Sequence, residues 1–555
     1  MKKGKKIITL ILVLVILAAL STACGGNNST TSPSDSPSSS ASASANTSSS
    51  SSPSASASAS ASAPAIVATP PPSSEGGKEV KYAEEFTYIT ESGVATLNVH
   101  SPAGHGPGNT HSYRMISDTL LYTEMDGSVS YMLATGYETE DYKSWIFHLR
   151  DDVYFHNGDH FTAKDVVFTW SAALDKLGSP AIDNWAYVKE MNIIDDYTVE
   201  MILDTPYIDF YRHMTPAQAI ILNERAITED PEKGYWCGTG AYKVVDFVSG
   251  DYVVYERNDD YWGGQPYTKR IKMWYVPEAS SRTIMLQTGE AQVCMSLPMN
   301  DFAIFETSPD FSVMSITQQN PVIVCFNLDD PLCSDINFRK AVAYAMDPEE
   351  LAILARGDMY ELQTDGATWG LQTPYRKTDL PAFRQDLDLA KQYLQQSRYD
   401  GSPVEYTVGS GGEALQAQLA AIGIDLVLNQ MDMASFSAYT AYGSNKAQMI
   451  GTALLISTTP GAGYRMNFNP GMGNNKYQYN NQYFTDLLAV AMNTPDGDER
   501  RDMFYELQDI IYDEVPCVPQ YYVVSKIVSV NGFGGLKVTS GMAMDLRFTY
   551  LILDD

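Results

Sequence analysis

The stretch from Gly238 to Val293 constrains the fold more than any other part of this 555-residue chain. Alternating apolar residues predict strands at Ala241–Phe247, Tyr252–Arg257 and Ile271–Val276, because one face of each strand can then be buried. A helix is expected from about Ala279 to Thr288. The stretch contains no catalytic signature, so it predicts the scaffold of a mixed α/β sheet.

Other blocks of the chain have equally regular patterns. Trp145, Phe147 and Leu149 alternate along one strand face. Thr162 and Asp165 have the spacing of a capping box and predict the start of a helix. Three further blocks with strand or helix periodicity are Cys325–Leu351, Leu415–Leu428 and Tyr477–Pro519.

These blocks and their order resemble a known family. GTGAYKV, ERNDDYWGGQPY and SRTIMLQTGEAQV, preceded by a W-x-F-x-L-R strand, are similar to the extracellular solute-binding proteins of bacterial ABC importers, peptide/nickel-binding type. The resemblance implies a bilobed α/β fold of the periplasmic-binding-protein type, with two hinge strands and an extra subdomain in the first lobe. It also implies that Tyr261 to Gly264 are scaffold.

The resemblance sets the expected domain limits. Lobe I is expected at residues 80–316 plus 523–555, closed by the C-terminal segment, with the extra subdomain at about 125–235. Lobe II is expected at 317–522, and the chain should cross between lobes near Thr317–Phe326 and Val515–Tyr522.

The N-terminus has the pattern of an export signal. Four lysines precede an apolar run from Ile7 to Leu20, which is followed by small residues up to Cys24. As a helix the run spans roughly 21 Å, less than the roughly 30 Å of a bilayer core. We therefore expect residues 1–23 to be a cleaved signal peptide. The cleavage site resembles a lipobox, although Ser21 stands where leucine is usual, and this implies lipidation of Cys24 at the outer face of the cytoplasmic membrane.

Residues 24–79 are expected to form a tether after the lipidated cysteine. Ser, Ala, Thr and Pro dominate this segment, which has too little apolar surface to offset the entropy of ordering. The net charge of −30 makes the protein a poor partner for nucleic acid.

The chain has six cysteines. The five other than Cys24 have no C-x-x-C spacing, which argues against a zinc or iron–sulfur site. Export would permit one disulfide, but the sequence does not select its pairing; buried thiols are the alternative. We expect no cofactor and no metal.

A glycine-rich loop, Asn98–His111, is expected before a helix from Ser112 to about Tyr122. Its three histidines are His100, His105 and His111. They could bind a transition metal, or the loop could be a polar cleft loop without metal. The resemblance implies that His111 and Tyr113 face the ligand.

Aromatic residues are the other candidates, because a cleft that buries a flexible solute needs flat apolar walls. Trp185 and Trp369 are cleft candidates, and core packing is the alternative for Trp185.

In lobe II, the family's dipeptide binders hold the ligand's ammonium with an aspartate, yet Gly451–Arg465 has no acidic residue. The candidates there are Ser410, Thr459, Tyr464 and Arg465. For Arg465 a surface ion pair is the alternative.

The sequence predicts a receptor, not an enzyme, since it has no G-x-S-x-G, H-E-x-x-H or Walker motif. The expected ligand is a peptide or peptide-like solute, and the expected partners are an ABC permease and ATPase. We expect a monomer attached to the membrane through its lipid. The alternatives are binding of a metal chelate or an oligosaccharide, a signalling receptor, and a secreted hydrolase.

Overall fold

The computed structural model describes residues 74–75, 78–79 and 82–551, apart from 106, 125–126, 175–184, 372, 458 and 539–543. The predicted signal peptide, Cys24 and most of the predicted tether lie outside the described residues. Among the residues that are described, no helix has both the length and the apolar character needed to cross a membrane.

One sheet of eleven strands runs through the molecule. Ten strands follow one another in the order Tyr242–Val248, Tyr252–Arg257, Arg270–Tyr275, Glu85–Thr90, Val293–Cys294, Cys517–Val530, Phe311–Phe326, Met449–Ala453, Val404–Val408 and Leu426–Gln430. Tyr360–Leu362 also pairs with Cys517–Val530. The strand of the GIDLVL segment, Leu426–Gln430, lies at the sheet edge.

Two long strands at the centre of this sheet join the lobes. We call Phe311–Phe326 the first hinge strand and Cys517–Val530 the second hinge strand. They pair antiparallel, and the register shifts between Thr317 and Pro321. Each hinge strand runs without a break through a predicted domain limit, at residues 316/317 in the first and 522/523 in the second. The strands do not mark where one lobe ends, so both limits stay a prediction.

The extra subdomain has its own antiparallel sheet. Its strands, in order across the sheet, are Ala134–Glu138, Ser144–Leu149, Thr198–Leu203 and Val188–Asp195. The helix Ala163–Leu174 begins where the capping pattern predicts, and the Thr162 backbone N–H donates to Asp165 Oδ2 at 2.9 Å. This satisfies an amide that the helix start would otherwise leave unpaired.

The remaining described α-helices pack around the two sheets. They are Pro107–Ile116, Glu224–Glu229, Ala279–Gln287, Phe302–Glu306, Ile336–Ala345, Pro348–Arg356, Leu387–Gln396, Glu413–Ala420, Met433–Tyr439, Ala462–Phe468, Gln482–Met492 and Asp498–Glu514. Short strand pairs are Ser74–Glu75 with Lys78–Glu79, Leu121–Thr123 with Val129–Tyr131, Phe533–Gly534 with Tyr550–Leu551, and Lys537–Val538 with Met544–Asp545.

The helix expected at Ser112–Tyr122 is displaced, and this boundary prediction was wrong. The helix runs from Pro107 to Ile116, with proline at the first helical position, where no amide hydrogen is needed. The Ser117 N–H still donates to the Tyr113 carbonyl at 3.0 Å, four residues back. The helix ends there because the next amide, Asp118 N–H, donates to Thr239 Oγ1 at 3.1 Å instead.

Asp118 connects the segment Tyr261 to Gly264 to the C-terminal segment. Tyr261 donates its hydroxyl to Asp118 Oδ1 at 3.2 Å, and Trp262 donates Nε1–H to Oδ2 at 2.8 Å. Arg547 lies 3.9 Å from the same carboxylate. These contacts join Tyr261 and Trp262 to Asp118 and bring the C-terminal Arg547 to the same carboxylate. They are consistent with the predicted scaffold role of Tyr261 and Trp262, which stays a prediction.

Candidate functional site

A small cavity lies in lobe II, where two loops meet, and it has room for about one water molecule. Its lining residues are Thr368, Trp369, Gly370, Thr373, Ile456, Ser457, Thr459, Gly461, Gly463 and Tyr464. Three of the eight predicted ligand residues, Trp369, Thr459 and Tyr464, are thus brought together here. The polar lining atoms are hydroxyl and backbone groups, and none of the lining residues is charged.

Trp369 and Tyr464 form the aromatic wall of this cavity. Their rings meet edge to face, with centroids 4.6 Å apart. Trp369 donates Nε1–H to the Pro374 carbonyl at 2.8 Å, while the Tyr464 hydroxyl and the Thr368 hydroxyl are 2.7 Å apart. Both polar groups are therefore satisfied within the protein, which fixes the rings in place.

The loop that carries Thr459 turns sharply into the helix Ala462–Phe468. The Ala462 amide donates to the Thr459 carbonyl at 3.2 Å. Gly461 has a φ of 77°, and a Cβ there would lie 2.7 Å from Met492 Cγ. Glycine is required at this turn both for its conformation and for the space it leaves.

Arg465 extends from the same helix to the extra subdomain. Its Nη2 donates to the Tyr187 hydroxyl at 2.8 Å, whereas its buried Nε has no hydrogen-bond partner in the protein. The Tyr187 ring also lies 4.6 Å from the His213 ring. Burial, followed by the positive charge of Arg465, lowers the pKa of His213 to about 4, so His213 is neutral at pH 7. Arg465 is half-buried, and no carboxylate in the described part of the chain forms an ion pair with it.

A buried ion pair makes a second contact between the subdomain and lobe II. Arg500, on the helix Asp498–Glu514, donates Nη2–H to Asp209 Oδ2, and the two side chains are 0% and 2% exposed. Arg500 also bonds the outward-facing Asp496 at 2.6 Å. Nothing in the sequence links residues almost 300 positions apart, so it gave no sign of the contacts made by Asp209, Arg500, Tyr187 and His213.

His111 and Tyr113 lie in the interior of lobe I, away from the cavity lining. His111 is 4% exposed, and its Nδ1 is 3.3 Å from the Tyr88 hydroxyl. Tyr113 is fully buried and donates to the Asn98 carbonyl at 3.3 Å; burial raises its pKa to about 12. Both side chains contribute to packing in this arrangement.

Trp185 and Ser410 also lie outside the cavity lining. Trp185 is fully buried in the hydrophobic cluster that contains Trp369 and Tyr464, and its Nε1–H has no hydrogen-bond partner among the described residues. Ser410 is exposed in the loop between the strand Val404–Val408 and the helix Glu413–Ala420. Within the described ranges no group of three or more histidine, cysteine or acidic residues is placed to hold a metal ion.

Comparison with solved structures identifies the fold. The fold matches an ABC transporter substrate-binding protein, CtaP, from Listeria monocytogenes with a TM-score of 0.76. The match covers 85% of this chain and all of that one at 23% identity. The predicted bilobed fold with two hinge strands is confirmed.

The sequence comparisons identify the family. Residues 128–476 match the family model described as bacterial extracellular solute-binding proteins, family 5, middle. The nickel-binding periplasmic protein of Escherichia coli is 24% identical over 63% of this chain and 67% of that protein. The glutathione-binding protein GsiB of Salmonella typhi is 26% identical over 74% of this chain and 84% of that protein. The chain belongs to the family 5 solute-binding proteins of ABC importers, as the motif order predicted.

Proposed function

We propose that this protein captures a peptide or peptide-like solute between its lobes and delivers it to an ABC permease. The proposal is supported by the lobe II cavity, with its aromatic walls and its hydroxyl and backbone groups. It is also supported by Arg465, which follows the lining residue Tyr464 in the chain and reaches Tyr187 of the subdomain. Peptides offer carbonyl and carboxylate oxygens, which are the acceptors that such donors match. Kinship to a glutathione-binding protein supports a peptide-like solute.

The proposed binding mode does not hold a free dipeptide by both its ammonium and its carboxylate groups. A buried ammonium group needs an anionic or strongly polar partner, and the lining residues include no carboxylate. The solute is held through acceptor groups, with its carboxylate or a backbone carbonyl directed to Arg465. The cavity is far smaller than the roughly 300–1,000 Å³ of common ligand sites, so the lobes separate to admit a peptide.

Binding of a metal chelate is the second candidate, favoured by the nickel-binding relative. The described residues offer no cluster of metal ligands, so the metal would arrive inside its own chelator, whose carboxylates also suit Arg465. Native mass spectrometry of the purified protein distinguishes the two candidates by the mass of a co-purified ligand.

Replacing Arg465 with alanine is expected to weaken binding of the solute identified in this way by about 10- to 100-fold, because a hydrogen bond to a charged group is lost. Isothermal titration calorimetry measures the effect. Arg465→Lys keeps the charge but loses the forked geometry, and it should bind with intermediate affinity. The control is Arg501→Ala, since Arg501 is 39% exposed and pairs with neighbours on its own helix. Equal affinities for wild type and Arg465→Ala would exclude Arg465 from the binding site.

The proposed location is the outer face of the cytoplasmic membrane, with Cys24 lipidated, the Ser-rich segment as tether, and a monomeric body working with permease and ATPase subunits. No catalytic step belongs to this role. Cys24→Ala is expected to abolish incorporation of radiolabelled palmitate and to release the protein from the membrane fraction. Palmitate incorporation into the Cys24→Ala protein would show that another residue carries the lipid.

A further inference from the structure

Two cysteines face each other across the hinge strands. Cys325 lies near the end of the first hinge strand and Cys517 begins the second, and the register places them directly opposite. Both are free thiols here, and both are buried. The pair lies at the lobe II end of the two strands.

The hydrogen bonds of the ladder define which kind of opposite pair this is. The Phe326 amide donates to the Pro516 carbonyl at 3.0 Å, one residue beyond Cys325 and one before Cys517. In an antiparallel ladder this makes Cys325 and Cys517 a non-hydrogen-bonded pair, whose Cα atoms are about 4.5 Å apart with side chains close together. Disulfides need Cα separations of about 4.4–6.8 Å.

The two thiols also share their surroundings. Both belong to the apolar cluster that contains Tyr464 and Tyr477, so both side chains lie on the same face of the sheet. Burial raises the pKa of Cys325 to about 12 and that of Cys517 well above its ordinary value. Because the thiolate is the reactive form, oxidation is slow after folding and fast while the exported chain is still open.

The other described cysteines are placed differently. Cys333 lies in the separate cluster on the other side of the sheet and donates Sγ–H to the Gln448 carbonyl at 3.3 Å. Cys294 lies on the lobe I strand Val293–Cys294, and Cys237 lies in the segment before Gly238. The strand register gives neither of these an opposing cysteine.

We propose that Cys325 and Cys517 form a disulfide when the protein folds outside the cytoplasm. The inference rests on the extracytoplasmic location in the proposed function, but not on the ligand. The two thiols lose two protons and two electrons, and a dithiol–disulfide oxidant outside the cytoplasm accepts them and is reduced to two thiols. The bond fastens the hinge strands at lobe II and leaves their lobe I halves free to bend.

Mapping the free thiols of the exported full-length protein tests the proposal. The purified protein is denatured with iodoacetamide and without reductant, then digested and analysed by mass spectrometry. We expect a linked peptide that contains Cys325 and Cys517 and is lighter than the two separate peptides by two hydrogens. Cys333 should be alkylated. A Cys333-linked peptide, or complete alkylation of Cys325 and Cys517 even after refolding with oxidised glutathione, would overturn the proposal.

Thermal unfolding supplies a second readout. Reduction with dithiothreitol should lower the Tm of the wild type by roughly 2–5 °C, because the bond closes a long loop in a large protein. Cys333→Ser is the control and should keep this dependence on reductant. Cys325→Ser/Cys517→Ser should lose it; a Tm in that variant that still responds to reductant would contradict the pairing. Peptide mapping uses the wild-type protein, so it remains decisive if the double variant folds poorly.

Discussion

Replacing Asp209 with alanine is expected to destabilise the protein by about 3–5 kcal/mol, because the buried Nη2 of Arg500 then loses its carboxylate partner. Arg500 is 0% exposed, so it has no access to water while the subdomain and lobe II remain in contact. Urea denaturation measures the loss in the free energy of unfolding. Small-angle X-ray scattering should show a larger radius of gyration, since separating the lobes allows Arg500 to hydrate.

The same arginine provides the matched control. Asp496 also pairs with Arg500, at 2.6 Å, but its side chain is 73% exposed. Asp496→Ala should cost no more than about 1 kcal/mol, because an exposed ion pair contributes little. The double variant Asp209→Ala/Arg500→Met removes both buried charges and should recover much of the loss. If Asp209→Ala and Asp496→Ala cost the same, the buried pair does not hold the subdomain against lobe II.

Much of the scaffold could be predicted from local patterns. The strand predicted at Tyr252–Arg257 has those bounds in the structure, and the helix predicted from Ala279 ends one residue early, at Gln287. Alternation and turn residues determine such elements within a few positions, so one sequence suffices. The start at Pro107 was missed because the preceding glycines and histidines were interpreted as loop, while proline at a first helical position was overlooked.

The site was predictable only where neighbours in the chain are also neighbours in space. Thr459 and Tyr464 lie five positions apart on one loop and helix, and the structure brings both to the cavity with Trp369. Tyr187 and Asp209 acquire their roles from arginines of the other lobe. Long-range partners of this kind leave no periodicity in the sequence, so they require the fold.

Replacing Trp185 with alanine is expected to lower the free energy of unfolding by about 3–5 kcal/mol, the cost of removing a large aromatic side chain from a core. From the sequence, Trp185 could line the ligand cleft or pack in the core. In the structure it is fully buried in the cluster with Trp369 and Tyr464. Urea denaturation followed by circular dichroism measures the loss. The comparison is Trp274→Ala, since Trp274 is half-buried on the lobe I sheet and donates to Asp251 at 3.1 Å; it should cost about 1 kcal/mol.

A second substitution separates packing from hydrogen bonding at Trp185. Trp185→Phe keeps an aromatic ring in the cluster and removes the Nε1–H that has no partner in the protein. Because an unsatisfied buried donor costs about 1–3 kcal/mol, its removal offsets part of the lost volume, and stability should stay close to wild type. The opposite result is also measurable. If the N–H of Trp185 donates to a carbonyl of the bound solute, Trp185→Phe will keep its stability but bind the co-purified ligand at least about tenfold more weakly. Trp185→Ala with wild-type stability would place Trp185 in the cleft and not in the core.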